Sequence, residues 1–125
     1  RTPRQAAVTS RIKLMAELNI ADVTGMTYNP LTRVYAITRS MAMNVELHEL
    51  DTDLVFVIGG AGTFVTNGSI VEPRPLAANE STGSGIRDGT ARSLSPGAVL
   101  VVPAGTPHWL RDIDGTVQFF AVKVR

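Results

Sequence analysis

The sequence contains no cysteine among its 125 residues. Disulfide bonds, thiolate metal ligands and a cysteine nucleophile are therefore excluded, and any metal ion must be held by nitrogen and oxygen atoms. Neither sign of charge is in excess, because 12 basic residues stand against 11 acidic ones and the formal net charge is +1. This balance provides no basic surface for a nucleic acid or an anionic membrane, and it favours a small molecule or a protein as the partner.

Long apolar segments are also absent. No apolar run approaches the roughly 20 residues that span a bilayer, and a chain of 125 residues is long enough for one domain with one core. We therefore expect a soluble protein without a membrane partner. The sequence begins with arginine instead of methionine, which leaves open whether a leader was removed or the chain was shortened. A cytoplasmic protein and an exported one are both consistent with it.

Histidine is scarce, since His48 and His108 are the only two in the chain. His108 ends the stretch GAVLVVPAGTPH, in which a turn glycine, an apolar strand and a Pro-x-Gly bend precede the imidazole. His48 lies upstream in a stretch where Glu46 and Asp53 supply carboxylates just before an apolar run. Imidazole and carboxylate groups are the side chains that bind divalent metal ions when no thiolate is present.

These two stretches resemble the motifs of the cupin superfamily, and the second motif gives the more specific match. In the family it is glycine, five residues, Pro-x-Gly, two residues and histidine. Gly97, Pro103, Gly105 and His108 match it without a gap.

The first motif of the family is His-x-His, followed by glutamate and then by glycine. The chain keeps this spacing as Glu46-x-His48, Asp53 and Gly60. Glutamate therefore stands where a histidine is usual, and aspartate stands where glutamate is usual. The resemblance covers residues 40–124 and leaves the reaction open, because this superfamily hosts many chemistries on one barrel.

The resemblance implies an all-β fold, a cupin-like antiparallel β-barrel or jelly roll, over residues 33–125. The sequence pattern agrees, because short strand signals separated by turn residues occupy most of that range. Residues 1–32 are interpreted as an N-terminal arm with a short helix over residues 10–18. Residues 73–89 are predicted to be a long loop, of which residues 76–89 are expected to be mobile and to lie near the cavity mouth. The predicted core includes Val55, Val57, Phe64, Val99, Val101 and Phe119.

Strand alternation places Glu46 and His48 on one face. If the barrel closes as the resemblance implies, both converge with Asp53 and His108 on one divalent ion of iron, manganese, nickel or zinc. Glu46 and Asp53 are also the candidate catalytic residues, as groups that move a proton. Glu46 is alternatively a hydrogen-bonding partner behind the ligands, and Asp53 is alternatively a turn cap.

Three functions are consistent with this pattern. The first is a metal-dependent enzyme, of the oxygenase or the lyase/isomerase type, that acts on a small polar molecule. The second is a cupin that binds a sugar-like or other small ligand without turnover, and the third is a structural cupin. A homodimer is expected, because the N-terminal helix and the apolar strand over residues 117–124 need cover. The candidate substrate-binding residues are Tyr35, Arg39, Gln118 and Phe120.

Overall fold

The fold is built from antiparallel strands. A computed structural model describes residues 22–29 and 31–125, and no helix occurs in these two ranges, so the all-β prediction is confirmed. The strands are β1 (Asp22–Asn29), β2 (Thr32–Arg39), β3 (Val45–His48), β4 (Thr52–Thr66), β5 (Ser69–Val71), β6 (Arg74–Ala77), β7 (Glu80–Gly83), β8 (Gly85–Arg87), β9 (Thr90–Leu94), β10 (Val99–Val102) and β11 (His108–Val124).

Strand β11 holds the main sheet together, because it pairs antiparallel with β2, β3 and β4. The sheet continues from β2 to β1 on one side and from β3 through β7 to β6 on the other. Strand β4 also pairs with β9 and β10, and β5 pairs with β8 in a separate two-stranded sheet. These pairings bring β3, the start of β4 and both ends of β11 into one neighbourhood.

The core lies on one face of β4 and of the strands that pair with it. Along β4, Val55 and Val57 are buried, whereas Phe56 and Ile58 are 37% and 52% exposed. This alternation is that of a strand with one face toward the interior. The buried apolar cluster comprises Val55, Val57, Phe64, Leu94, Val102, Leu110, Val117, Phe119 and Ala121.

The prediction that Val99 and Val101 belong to the core is wrong, since they are 58% and 61% exposed. Val99 lies opposite Phe56 in the pairing of β10 with β4, and directly opposed residues share a face. The inward residues of β10 are therefore Leu100, which packs against the core, and Val102, which is 2% exposed. Every residue of this strand is apolar, so the sequence does not indicate which face is buried.

Strand β11 changes its inward face part-way along its length. His108 and Leu110 are buried near its start, and Val117 and Phe119 are buried near its end. Register shifts between residues 110 and 118 separate the two parts. Because a bulge moves every following side chain to the opposite face, the inward positions change from even to odd numbers.

The prediction of a long loop over residues 73–89 is wrong, because most of this segment forms β6, β7 and β8. Thr82 Oγ1 donates a hydrogen bond to the Val45 carbonyl oxygen at 2.8 Å, which supports the pairing of β7 with β3. A Cβ atom on Gly83 would lie 2.3 Å from Ile70 Cγ2. The small residues that suggested a loop therefore permit close packing of strands.

Strand β1 was not predicted from the sequence. It pairs with β2 from Asp22 opposite Thr38 to Asn29 opposite Thr32. The predicted helix over residues 10–18 lies outside the described residues. Within residues 22–29 and 31–125, no helix is long and apolar enough to cross a membrane.

Candidate metal centre

The bend between β10 and β11 places His108 at the start of β11. Thr106 N donates to the Pro103 carbonyl oxygen at 3.1 Å, and Gly105 adopts a φ of +79°. A side chain would strain this left-handed conformation, which is why the turn needs glycine. Gly105 N also donates to the His48 carbonyl oxygen at 2.8 Å. The same bend therefore ties the strand of His48 to the strand of His108.

Strand pairing brings the predicted ligands together. His108 lies opposite Glu46 in the pairing of β11 with β3, and His48 lies two residues farther along the same face of β3. Asp53 follows near the start of β4 and is 6% exposed. The side chains of His48 and His108 are 10% and 6% exposed, whereas that of Glu46 is 36% exposed. The cluster is therefore largely buried and has Glu46 at its accessible side.

The ligand atoms lie close enough to share one ion. Asp53 Oδ2 lies 3.4 Å from His48 Nε2 and 3.5 Å from His108 Nε2. Glu46 Oε2 lies 3.6 Å from His108 Nε2. Ligands about 2.1 Å from a metal ion at ordinary angles are about 3.0–3.4 Å apart, so small adjustments suffice. Glu46, His48 and His108 offer ligand atoms within 4.8 Å of one another and form a candidate metal site.

The outward nitrogen of each imidazole has an acceptor as its partner. His108 Nδ1 donates to the Thr106 carbonyl oxygen at 3.0 Å, which fixes the proton on Nδ1 and leaves a lone pair on Nε2. His48 Nδ1 forms a short contact with Glu80 Oε2. Histidine ligands of metal ions ordinarily donate their other N–H in this way.

The inward nitrogen of His108 supplies the test of whether a metal fits. This Nε2 is buried and has no hydrogen-bond partner among the described residues. A buried polar atom without a partner is costly, and a divalent ion at this point would satisfy it. The residues present therefore fit a metal ion.

Lys123 brings a positive charge into the cluster. It lies opposite Asp53 in the pairing of β11 with β4, and its Nζ donates to the two carboxylate oxygens of Asp53 at 2.9 and 3.0 Å. The same Nζ lies 3.0 Å from His48 Nε2. A buried carboxylate needs a partner, and Lys123 supplies one to Asp53.

The pKa values of the cluster follow from these contacts. Burial alone would raise the pKa of Asp53, but the nearby His48 imidazole and the Lys123 ammonium lower it to about 2. Burial would likewise raise the pKa of Glu46. The contact with His108, with smaller contributions from His48 and Lys123, instead lowers this pKa below its usual value. Both carboxylates are therefore ionised at neutral pH. Burial would lower the pKa of His48, but Asp53 and Glu80 raise it against the repulsion of Lys123.

Two of the predicted substrate-binding residues face the interior. Tyr35 and Arg39 lie opposite the buried Ala121 and Val117 in the pairing of β2 with β11, so they share the inner face. Burial lowers the pKa of Arg39, and the charge of Glu46 raises it in part. Arg39 is therefore close enough to the candidate site for its charge to act there.

The other two predicted residues, Gln118 and Phe120, are not brought to the cluster. Both are exposed, Phe120 by 41%. Even-numbered residues face inward at the start of β11, but the register shifts between residues 110 and 118 turn them outward at its end.

Glu80 and Lys123 also contact the cluster, and neither is predicted from the sequence. Glu80 lies in the segment predicted to be a loop, and its position opposite His48 depends on a strand pairing that no local pattern reveals. Lys123 follows the register shifts of β11, so its inward direction cannot be counted from His108. Both faces of that strand are apolar near Lys123, and alternation gave no signal there either.

Comparison with known proteins agrees with this geometry. A family model described as Cupin matches residues 31–125. The chain belongs to the cupin family. The resemblance inferred from the two motifs is thereby confirmed.

Solved structures of similar fold support the barrel prediction. A cupin from Methanocaldococcus jannaschii with a double-stranded β-helix fold has a TM-score of 0.59 and 14% identity, over 83% of this chain and 79% of that one. The DMSP lyase DddQ from Ruegeria pomeroyi has a TM-score of 0.56 and 14% identity, over 82% of this chain and 47% of that one. For a putative mannose-6-phosphate isomerase from Ralstonia eutropha the values are 0.55 and 15%, over 82% of each chain. Identities this low establish the fold alone.

A curated protein gives a short match. The ubiquinone biosynthesis O-methyltransferase of Marinobacter nauticus is 46% identical over 37 residues. These residues are 30% of this chain and only 16% of that protein. A segment this short says nothing about a shared activity.

Proposed function

We propose that this cupin is a metal-dependent enzyme that acts on a small polar molecule inside the barrel. The observation that carries the proposal is the orientation of the two histidines, each with Nδ1 at an acceptor and Nε2 toward Glu46 or Asp53. His48, His108 and Glu46 would hold one divalent ion, with Asp53 as a fourth ligand. Iron, manganese, nickel and zinc all accept such a set of nitrogen and oxygen ligands.

The bound ion would act as a Lewis acid on a substrate oxygen. Of the two carboxylates proposed as catalytic, Asp53 has a pKa of about 2 and is held by Lys123, so it is a weak base. Glu46 is the more accessible of the two. Glu46 is therefore the better group to move a proton at the substrate.

The inner face of β2 supports a polar or anionic substrate. Arg39 offers a guanidinium, which binds carboxylate or phosphate oxygens, and Tyr35 offers a phenol. Two structural neighbours are named for lyase and isomerase reactions. Their likeness to this chain establishes the fold alone, so lyase and isomerase reactions on small polar compounds are the first to be tested.

A second candidate is a cupin that binds a small ligand without turnover. It is favoured by the two departures from the usual ligand set, Glu46 and Asp53, and by the ammonium of Lys123 within the cluster. This function needs the cavity but no proton transfer.

The two candidates are separated by one assay. The protein is loaded with iron(II), manganese, nickel or zinc and incubated with a panel of sugar phosphates and small carboxylates that includes mannose 6-phosphate and DMSP. Proton NMR then follows both product formation and binding. Turnover that is lost on chelation and in Glu46→Ala supports the enzyme, and metal-dependent binding without product supports the second candidate. Neither turnover nor binding across the panel would contradict both.

We also propose a homodimer formed through the outer face of β10, β4, β11 and β2. Val99, Phe56 and Phe120 form one cross-strand row on this face and are 37–58% exposed. Four strands about 4.8 Å apart make the patch about 14 Å wide between backbones, before the side chains are added. Monomers seldom expose apolar patches above a few hundred Å². A second copy placed on a twofold axis covers both patches at once.

A further inference from the structure

The ammonium of Lys123 is directed at the atoms that a metal ion would use. Its Nζ contacts Oδ1 and Oδ2 of Asp53 at 2.9 and 3.0 Å and His48 Nε2 at 3.0 Å. An ammonium has three N–H donors, so these contacts account for all of them. The Lys123 side chain is only 20% exposed, and water is a limited alternative partner.

His48 can serve only one of the two cations at a time. Its Nδ1 donates a hydrogen bond to the Glu80 carboxylate and therefore carries the proton, so Nε2 is the nitrogen with the lone pair. Nε2 has a single lone pair, and at 3.0 Å the Lys123 ammonium donates into it. A metal ion bound by His48 would require the same lone pair.

Asp53 imposes the same choice. Its Oδ2 lies 3.4 Å from His48 Nε2 and 3.5 Å from His108 Nε2, and it also accepts a hydrogen bond from Lys123. A metal ion about 2.1 Å from these ligand atoms would lie directly beside the present position of the Lys123 ammonium. Two cations so close together in a largely buried site repel each other strongly.

We propose that Lys123 is a built-in competitor of the metal ion, which must displace the ammonium from His48 and Asp53 in order to bind. The inference rests on the proposed metal site and concerns its regulation. Without the ion, the ammonium balances part of the charge of Asp53, Glu46 and Glu80. With the ion, the side chain of Lys123 turns away while its backbone stays in β11.

The first test measures zinc affinity with a competing chelating dye. Lys123→Met keeps the length of the side chain and removes its charge, so zinc should bind on the order of tenfold more tightly or better. The chain has one other lysine, Lys13, and Lys13→Met removes the same charge from the protein as a whole. Zinc affinity should be unchanged in this control.

The possible results separate this inference from the proposed function. If wild type and Lys123→Met bind zinc equally, or if the variant binds more weakly, the competition is overturned and the metal site stands. The same assay is repeated with iron(II), manganese and nickel. If only Lys123→Met binds any of the four ions, the competition stands and a metal-dependent function of the wild type fails. If neither protein binds any of the four ions, both proposals fail.

A second test uses the wild-type protein, so it does not depend on how a variant folds. With ¹⁵N-labelled lysine only two side-chain Nζ resonances arise, and that of Lys123 is the one missing in Lys123→Met. One equivalent of zinc should shift the Lys123 resonance or broaden it by solvent exchange, and should leave that of Lys13 in place. Bound zinc with an unmoved Lys123 resonance would overturn the competition.

Discussion

At the scale of single residues, Glu46 is the most informative departure from the usual cupin ligand set. The Glu46→His substitution restores the commoner residue, and we expect it to keep or tighten metal binding because imidazole suits all four candidate ions. Glu46→Ala should weaken binding, since it removes a ligand atom that lies 3.6 Å from His108 Nε2. Calorimetric titration of both variants with zinc and manganese checks this. Binding by the alanine variant as tight as that of the wild type would exclude Glu46 as a ligand.

Glu80 is expected to position His48 without touching the metal ion. Glu80→Gln keeps an acceptor for Nδ1 but removes the charge, and metal affinity should fall about 10–100-fold. Glu49 directly follows His48 and is exposed, and Glu49→Gln is the matched control with no expected change. The measurement is zinc affinity, with thermal unfolding of the zinc-free protein as a check on folding. Equal affinities for the two glutamine variants would remove Glu80 from the site.

The sequence predicted part of this site for a clear reason. Motif spacing identified His48, His108, Glu46 and Asp53, because a fixed number of residues along a strand or a bend fixes direction. The direction of Lys123 could not be predicted in the same way. Register shifts between residues 110 and 118 prevent it from being inferred by counting residues along β11 from His108.

At the scale of elements, Asp51 links β2 to the end of β11 just before β4 begins. It is 3% exposed, and its Oδ1 lies 2.6 Å from Arg33 Nη2 and 2.9 Å from Arg125 Nε. Asp51→Asn would leave the largely buried Arg33 without its counter-charge. The free energy of unfolding at pH 7 should fall by about 1–3 kcal/mol. Asp112→Asn removes an exposed partner of Arg111 and should change it by less than about 0.5 kcal/mol.

The effect of Asp51→Asn should depend on pH. Burial alone would raise the pKa of Asp51, but Arg125 and Arg33 hold it below its usual value of 3.8. A group with a lowered pKa in the folded state stabilises fully above its unfolded pKa and loses that contribution as pH falls through the folded value. Urea unfolding at pH 7 and pH 3 should therefore show a smaller difference between wild type and variant at pH 3. A larger difference at pH 3 would contradict the assigned ion pairs.

The elements were predicted unevenly from the sequence. Strands with one polar and one apolar face, such as β4 around Val55 and Val57, carry their orientation in their pattern. Strand β10 is apolar on both faces, so Val99 and Val101 were assigned to the wrong side. Strand β7 is short and rich in small residues, so its local sequence does not indicate a strand. It forms through pairing with β3, a segment far away in the sequence.

At the scale of the whole molecule, the outer apolar face predicts a dimer. Light scattering at high micromolar concentration should give about twice the chain mass of 13.4 kDa. Phe120→Asp places a charge in the patch and should give a monomer that remains folded. Leu76→Asp changes an apolar residue that is 66% exposed elsewhere and should remain dimeric. A monomeric wild type would overturn the proposed interface.

The barrel as a whole was predictable because two motifs and a run of strand signals point to one fold. The strand pairings that complete the barrel were not predictable, because β11 pairs with three strands from different parts of the chain. The register of these pairings is determined by side chains that pack across the sheet, so it cannot be inferred from the sequence of any single segment.

The central claim is that His48 and His108, with Glu46 and Asp53, hold one divalent ion. Its most direct test is elemental analysis of chelator-treated protein after dialysis against iron(II), manganese, nickel and zinc in turn, beside His108→Ala. The wild type should retain about one equivalent of at least one ion, and the variant less than about a tenth. A folded wild type that retains less than about a tenth of an equivalent of every ion would contradict the claim.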